Sequence, residues 1–224
     1  MLLGILNAIL LLLTVIKFAT KRLPYRKLDL FAMKVHKPAA VLLLAVSVIH
    51  TITVWKLLQQ RPIAMFIIGI IMTLSIAATI VSRIRAKSIG KNWIKLHRAF
   101  TIITCICLLA HVWLGVSSFS KYQKAISTIT IENVQLSQVA DGTYEGEYDA
   151  GYIYAKVAVT VDNGKLSDVV ILEHRKERGA PAEKITEDIV SKQTLLVDAV
   201  SGATNSSEVL LKATENALKK GLIK

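Results

Sequence analysis

The sequence predicts a membrane protein in which a four-helix transmembrane bundle precedes a small extracytoplasmic α+β domain. Of its 224 residues 53% are hydrophobic, and a mean hydropathy of +0.48 is too high for one ordinary soluble domain. Four apolar stretches lie before residue 120, each near the roughly 20 residues that span a bilayer as a helix. They cover residues 2–18, 38–58, 63–81 and 99–119.

The distribution of charge predicts the orientation of these helices. Residues 1–120 contain 15 Lys and Arg but a single acid, Asp29, whereas residues 121–224 contain 13 basic and 15 acidic residues. The basic residues cluster between spans one and two and between spans three and four. Because basic loops stay in the cytoplasm, the N-terminus and everything after residue 120 are expected outside. The excess of basic over acidic residues is confined to the membrane half. Membrane lipid is therefore the expected partner, and nucleic-acid binding is not expected.

The first apolar stretch has two interpretations. Its length suits the hydrophobic region of a secretory signal peptide, but no basic segment precedes it and positive charges follow it. We expect a retained helix that enters the membrane from outside. Cleavage as a signal peptide stays open as the alternative.

Past residue 120 the pattern changes to that of an α+β domain. Residues 152–161 and 166–172 alternate apolar and polar side chains, and turn-forming residues at 141–144 and 162–164 flank them. This pattern predicts antiparallel strands. A helix is expected over residues 182–191.

A capping box predicts the start of the last helix. Asn205 is the expected N-cap and Glu208 its partner three residues later. Together these patterns divide the chain into a transmembrane bundle over residues 1–120, a linker over 121–138 and an α+β domain over 139–224.

Four histidines form two matched pairs in the apolar half. His36 and His50 have the same separation along the chain as His97 and His111. On a helix this spacing is about four turns and places both rings of a pair on nearly one face, roughly 21 Å apart. Two such helices side by side predict an inner haem on His36 and His97 and an outer haem on His50 and His111. Neutral imidazoles are suitable axial ligands of haem iron, and two of them leave no coordination position at which oxygen could bind.

The histidines also allow two simpler interpretations. His36 and His97 lie beside basic residues and would fit the ends of basic loops, and metal ligation without a porphyrin is a further alternative. Ionisable side chains within a membrane span are costly and are usually functional. His174, outside any apolar span, is expected on the surface or close to a flavin.

The membrane half resembles a known family. The segment Trp93 to Arg98, with His111 following His97 at the paired spacing, is similar to the transmembrane core of the ferric reductase and NADPH oxidase superfamily. The resemblance covers roughly residues 30–118 and implies two b-type haems held by paired histidines. The chain departs from larger members by having four spans and no cytoplasmic FAD/NADPH module, which leaves the electron donor unknown.

The segment 198–204 has the sequence Asp-Ala-Val-Ser-Gly-Ala-Thr. Small residues at Gly202 and Ala203 keep the backbone accessible to a bulky group. A phosphate on Thr204 would lie near a helix N-terminus, where free N–H groups favour an anion. A polar turn that merely precedes a helix is the alternative.

With the upstream segment from Asp141, this motif resembles the FMN-binding domain of sodium-pumping NADH:quinone reductase and Rnf-type complexes. The resemblance implies that Thr204 carries FMN through a phosphoester, installed outside the cytoplasmic membrane by an FAD:protein FMN transferase. It further implies that the transferase recognises Asp198 and that Ser201, Gly202 and Ala203 complete the cofactor site.

The function expected from both halves is transmembrane electron transfer in a prokaryotic cell membrane. Electrons would pass from a cytoplasmic or membrane donor through two b-type haems to covalent FMN and an extracytoplasmic acceptor, which makes the protein an oxidoreductase without assigned catalytic residues. Two alternatives remain: a flavin-only subunit of a larger redox complex, and a non-redox membrane-anchored binding module.

Overall fold

A computed structural model describes residues 2–176 and 178–223 and divides the chain into two compact units. The first unit comprises Met1–Leu58 and Pro62–Gly115. The second comprises Gln59–Arg61 and Val116–Lys224.

The first unit is helical, and its helices explain the four predicted spans. Among the described residues, four helical segments are long and apolar enough to cross a membrane, by length and composition. This confirms the prediction of four apolar helices. The helices of this part of the chain are α1 (Leu2–Thr20), α2 (Arg26–Val54), α3 (Ile63–Ile84), the one-turn α4 (Ala86–Ile89) and α5 (Trp93–Ser127).

Polar side chains join these apolar helices at several levels. The Ser47 hydroxyl donates a hydrogen bond of 3.3 Å to the Asn7 side-chain oxygen, which links α2 to α1. The Thr104 hydroxyl donates to the Ser75 hydroxyl at 3.0 Å, and Ser75 donates to the Phe100 carbonyl at 2.8 Å, which links α3 to α5. Such bonds between helices help to fix their register in a membrane, where apolar packing alone is weakly directional.

The second unit contains a three-stranded antiparallel sheet in the order β1-β2-β3. Its strands are β1 (Gly142–Asp149), β2 (Tyr154–Asp162) and β3 (Lys165–Arg175). Asn163 and Gly164 join β2 to β3 with φ values of 51° and 68°. Two consecutive positive φ values are typical of a type I′ hairpin turn, so the predicted turn at 162–164 is confirmed.

Two helices follow the sheet, α6 (Ile185–Lys192) and α7 (Thr204–Lys220). Alternate residues of β2 are fully buried beneath α7, because strand side chains alternate between faces. Gly146 of β1 lies so close to α7 that an added Cβ would overlap the Ala213 carbonyl oxygen. A glycine is therefore required where β1 crosses α7.

The structure corrects two predictions about secondary structure and confirms a third. The segment 141–144 is not a separate turn: β1 begins at Gly142, and the Asp141 carboxylate accepts a hydrogen bond from the Gly164 N–H at 3.2 Å. The helix expected over 182–191 is present, beginning as a 3₁₀ helix at Ala180–Lys184 and continuing as α6. Asn205 is not the N-cap of α7, because Ala203 holds that position and makes no side-chain capping bond.

Candidate functional site

The structure brings two of the predicted haem ligands together. The ring centres of His36 on α2 and His97 on α5 are 6.3 Å apart. The Nδ1 atom of His36 is 3.0 Å from the Thr14 carbonyl oxygen of α1. The Nδ1 atom of His97 is 3.2 Å from the Thr79 carbonyl oxygen of α3. Each ring is thus close enough to donate a hydrogen bond to a backbone carbonyl of a neighbouring helix.

This arrangement fits a metal bound between two imidazoles. A metal–nitrogen bond of about 2 Å on each side places the ring centres about 6 Å apart, close to the separation of His36 and His97. A carbonyl acceptor at Nδ1 selects the tautomer that carries its proton there, which leaves Nε2 for the metal. In the described part of the chain no group of three or more His, Cys, Asp or Glu is arranged to hold a metal ion, but a bis-histidine haem needs only two.

His50 and His111 each lie against a glycine of a neighbouring helix. A Cβ added at Gly4 of α1 would be 3.7 Å from His50 Cε1, and one added at Gly69 of α3 would be 3.7 Å from His111 Cε1. Both histidines are half-buried. Among the residues with described positions, none makes a hydrogen bond to the buried Nδ1 atom of His111.

The predicted flavin motif forms a tight turn before α7. The Ala203 N–H donates to the Val200 carbonyl at 2.9 Å, and Gly202 between them has a φ of +76°. A positive φ at the third residue of a β-turn requires a glycine or asparagine, as in type II. The Ser207 hydroxyl accepts a hydrogen bond from the Val200 N–H at 3.0 Å, and it donates to the Ala203 carbonyl at 3.2 Å. Ser207 thereby fastens the turn to the helix.

Thr204 is the first residue of α7, and its side chain is exposed. Asp198 and Ser201 are exposed as well, whereas Ala203 is buried. The first turn of a helix leaves backbone N–H groups without partners inside the helix, and these groups favour an anion. Thr204 is thus an exposed residue at the N-terminal end of a helix.

An aromatic cluster that was not predicted from the sequence lies next to this motif. Tyr122, in the last part of α5, stacks on Tyr152 with ring centres 5.0 Å apart and planes 16° from parallel. Phe119 lies 6.2 Å from Tyr122 and 6.4 Å from Tyr152. The Asn205 side-chain amide donates a 2.7 Å hydrogen bond to the Tyr122 hydroxyl. The residue after Thr204 is therefore bound to this cluster of Phe119, Tyr122 and Tyr152.

His174 is buried and not at the surface, which corrects one of the two environments expected for it. Its side chain is only 2% exposed, and Nδ1 lies 3.0 Å from Glu183 Oε1. Burial lowers the pKa of His174 below its ordinary value, with the Lys176 charge acting in the same direction and Glu183 against it. The hydrogen bond from Lys176 lowers the pKa of Glu183.

The loop after β3 reaches the first turn of α7. A Cβ added at Gly179 would overlap the Ser206 hydroxyl oxygen, so this close approach depends on a glycine. Ser206 is buried two residues after Thr204. His174 and Glu183 lie on either side of this loop in the sequence and contact each other.

Comparison with known proteins gives one match. No curated protein and no solved structure is significantly similar to the chain. The family model of the FMN-binding domain matches residues 151–219, a segment that contains β2, β3, α6, the turn and nearly all of α7. The match supports FMN as a cofactor and a flavin-related redox role for this part of the chain.

Proposed function

We propose that the protein transfers electrons across a membrane between two b-type haems in the first unit and an FMN joined to Thr204 in the second. The main support for a redox function is the match of residues 151–219 to the family model of the FMN-binding domain. The 6.3 Å separation of the His36 and His97 ring centres supports the haem part. Thr204, exposed at the start of α7, supports the covalent link.

In the first unit the four histidines would hold the two haems. His36 and His97 would hold the inner haem, and His50 and His111 the outer one. A haem with two histidine ligands exchanges single electrons and has no open position for oxygen. The carbonyls of Thr14 and Thr79 orient the inner ligands, since each accepts a hydrogen bond from the Nδ1–H group of one imidazole.

In the second unit Thr204 acts as the nucleophile during maturation. Its hydroxyl oxygen forms a bond to the flavin-side phosphorus of FAD, the pyrophosphate bond breaks, AMP leaves and the hydroxyl proton is lost. An FAD:protein FMN transferase would supply the substrate and recognise the segment from Asp198 to Thr204. The turn at Gly202 holds Thr204 in solvent, and the N–H groups of the first turn of α7 stabilise the phosphodiester charge.

The charge distribution supports one orientation of this pathway. With both basic loops in the cytoplasm, His36 and His97 are on the cytoplasmic side and the FMN-binding domain is outside. Electrons would enter from a cytoplasmic or membrane donor and leave from FMN to an extracytoplasmic acceptor. A covalent bond keeps the flavin with the protein in a compartment where a free cofactor would be lost.

Haem content tests the first half of this proposal. The purified full chain, expressed with haem supplied, should contain about two low-spin b-type haems by a pyridine haemochromogen assay and a reduced-minus-oxidised spectrum. His50→Ala and His111→Ala should each remove the outer haem and keep most of the inner one. Covalent flavin in a wild-type protein without haem would instead favour the flavin-only subunit.

Mass spectrometry tests the second half. The intact wild-type chain should carry the mass of one FMN residue, and its band should fluoresce on a denaturing gel. Thr204→Ala should lose both signals and keep the haem absorbance. Ser191→Ala is the matched control, because it removes an exposed hydroxyl of the same unit outside the segment 198–204 and should keep the flavin. Flavin retained in Thr204→Ala would contradict the attachment site.

A further inference from the structure

The first unit contains the same arrangement of a glycine, a threonine and two histidines twice. In α1 and α2, a Cβ added at Gly4 would meet the His50 ring, and the Thr14 carbonyl binds His36. In α3 and α5, a Cβ added at Gly69 would meet the His111 ring, and the Thr79 carbonyl binds His97. The spacing from glycine to threonine is the same in α1 and α3, and the spacing between the histidines is the same in α2 and α5. The two copies therefore agree in spacing and in contacts.

The sequences of α1 and α3 share a few identical residues between these positions. Residues 4–16 are Gly-Ile-Leu-Asn-Ala-Ile-Leu-Leu-Leu-Leu-Thr-Val-Ile, and residues 69–81 are Gly-Ile-Ile-Met-Thr-Leu-Ser-Ile-Ala-Ala-Thr-Ile-Val. Glycine, isoleucine and threonine recur at three equivalent places, and the residues after each threonine are β-branched and apolar. Gly69 lies inside the apolar helix α3, where a glycine costs about 1 kcal/mol relative to alanine, whereas Gly4 lies in the first turn of α1. A specific use of the missing side chain at Gly69 would offset that cost.

We infer that α1–α2 and α3–α5 are two equivalent halves of one cofactor pocket, in which Gly4 and Gly69 form the helix surfaces that admit the outer haem beside His50 and His111. This inference rests on the proposed function and adds positioning residues to it. A helix surface without a side chain lets a bulky planar group approach the backbone. At 3.7 Å from each imidazole, a single added methyl group fits in ordinary contact, but the branches of a leucine would occupy the space beside the ring.

The two threonines act on the inner site through their backbones. The Thr14 hydroxyl donates to the Leu11 carbonyl at 2.7 Å, and the Thr79 hydroxyl donates to the Ser75 carbonyl at 2.9 Å. Both hydroxyls are thus used within their own helices, and only the carbonyl oxygens reach His36 and His97. A valine at either position keeps the carbonyl, so the threonine side chains are dispensable for haem binding while the glycines are not.

Haem content of single variants tests the inference on the purified full chain. Gly4→Leu and Gly69→Leu should each reduce the content from about two haems per chain to about one. The remaining low-spin EPR signal should be the same in both variants and equal to that left by His50→Ala. Thr14→Val and Thr79→Val are the matched controls and should keep both haems with unchanged EPR signals, whereas Gly69→Ala should keep both haems and shift the signal of the outer one. Covalent FMN on each variant reports that the rest of the chain has folded.

Four outcomes would overturn the inference. Two haems retained in both leucine variants would show that the glycines do not border a cofactor, while the proposed function stands. Loss of different haems in Gly4→Leu and Gly69→Leu would refute the equivalence of the halves. If a leucine variant loses both haems, the milder variant Gly69→Ala provides the test. The inference requires that this variant shift the EPR signal of the outer haem alone, and an unshifted signal would contradict it. A wild-type chain without haem refutes the proposed function together with the inference.

Discussion

The Asn205 side-chain amide donates a 2.7 Å hydrogen bond to the Tyr122 hydroxyl, which joins the first turn of α7 to the last part of α5. Tyr122 is 8% exposed and stacks on Tyr152. Its hydroxyl therefore has little access to water and depends on Asn205 as a donor. Because Asn205 follows Thr204 directly, this bond also fixes the direction in which α7 starts at the proposed flavin site.

Asn205→Ala should destabilise the start of α7 by about 1–2 kcal/mol, because it leaves the buried Tyr122 hydroxyl oxygen without its donor. Hydrogen exchange of the α7 amides in the full chain, measured by mass spectrometry, gives the change in opening free energy. Asn216→Ala is the matched control, since this asparagine of α7 makes a solvent-exposed hydrogen bond to the Glu147 carbonyl. Equal protection in both variants would contradict a structural role for the Asn205–Tyr122 bond.

Glu215→Gln should lower the free energy of unfolding of the second unit by roughly 1–3 kcal/mol at neutral pH. The Glu215 side chain is 0% exposed and lies 2.8 Å from Lys212 Nζ and 2.6 Å from Lys219 Nζ, and it accepts a hydrogen bond from the Glu132 N–H at 3.2 Å. The variant loses the charge on which both lysines converge. Exposed Glu187, replaced by Gln, is the control and should have little effect.

The Glu215 contribution should disappear in acid. Burial raises the pKa of Glu215, but the hydrogen bonds from Lys212, Lys219 and Glu132 outweigh it and hold the pKa below its ordinary value. The stabilisation is therefore complete above the unfolded pKa of about 4.3 and is lost as pH falls through the lower folded value. Denaturant unfolding at several pH values should show that wild type and Glu215→Gln converge in acid. A difference that stays constant down to about pH 3 would contradict this explanation.

His174 should make the second unit less stable below about pH 6.5. Its folded pKa is lowered by burial, so the unfolded chain takes up a proton first as the pH falls, and stability declines from the unfolded pKa down through the folded one. His174→Gln should remove this decline between about pH 7.5 and 5.5. Unfolding measured across this range provides the test, and an unchanged slope in the variant would assign the decline to other groups.

The large features of the fold follow from patterns local to the chain. Hydropathy over about 20 residues is enough to locate the membrane helices, and Asn163-Gly164 determines its own turn geometry. The predicted N-cap of α7 is wrong because Asn205 has a side chain that suits an N-cap but is engaged elsewhere. In the structure, the Ser207 hydroxyl, within α7, accepts a hydrogen bond from the Val200 N–H. The Asn205 side-chain amide donates to the Tyr122 hydroxyl.

Contacts between distant segments could not be predicted from the sequence. Tyr122 and Tyr152 belong to different elements far apart along the chain, and nothing in either local pattern indicates that their rings stack. The partners of the histidines are similar cases. Gly4 and Gly69 are ordinary residues in apolar helices until the packing of α1 on α2 and of α3 on α5 brings them to His50 and His111.

Cysteine labelling on intact cells tests the proposed orientation. In a Cys105→Ala, Cys107→Ala background, Ser137→Cys should react with a membrane-impermeant thiol reagent, whereas Ser88→Cys should react only after the cells are permeabilised. The two sites are matched, because both serines are exposed and lie in single-turn helices, Leu136–Gln138 and α4. The expected difference arises from the 15 basic residues and one acid of residues 1–120, which hold both basic loops inside. Labelling of Ser88→Cys alone on intact cells would reverse the orientation and place Thr204 in the cytoplasm, where attachment by an extracytoplasmic transferase is impossible.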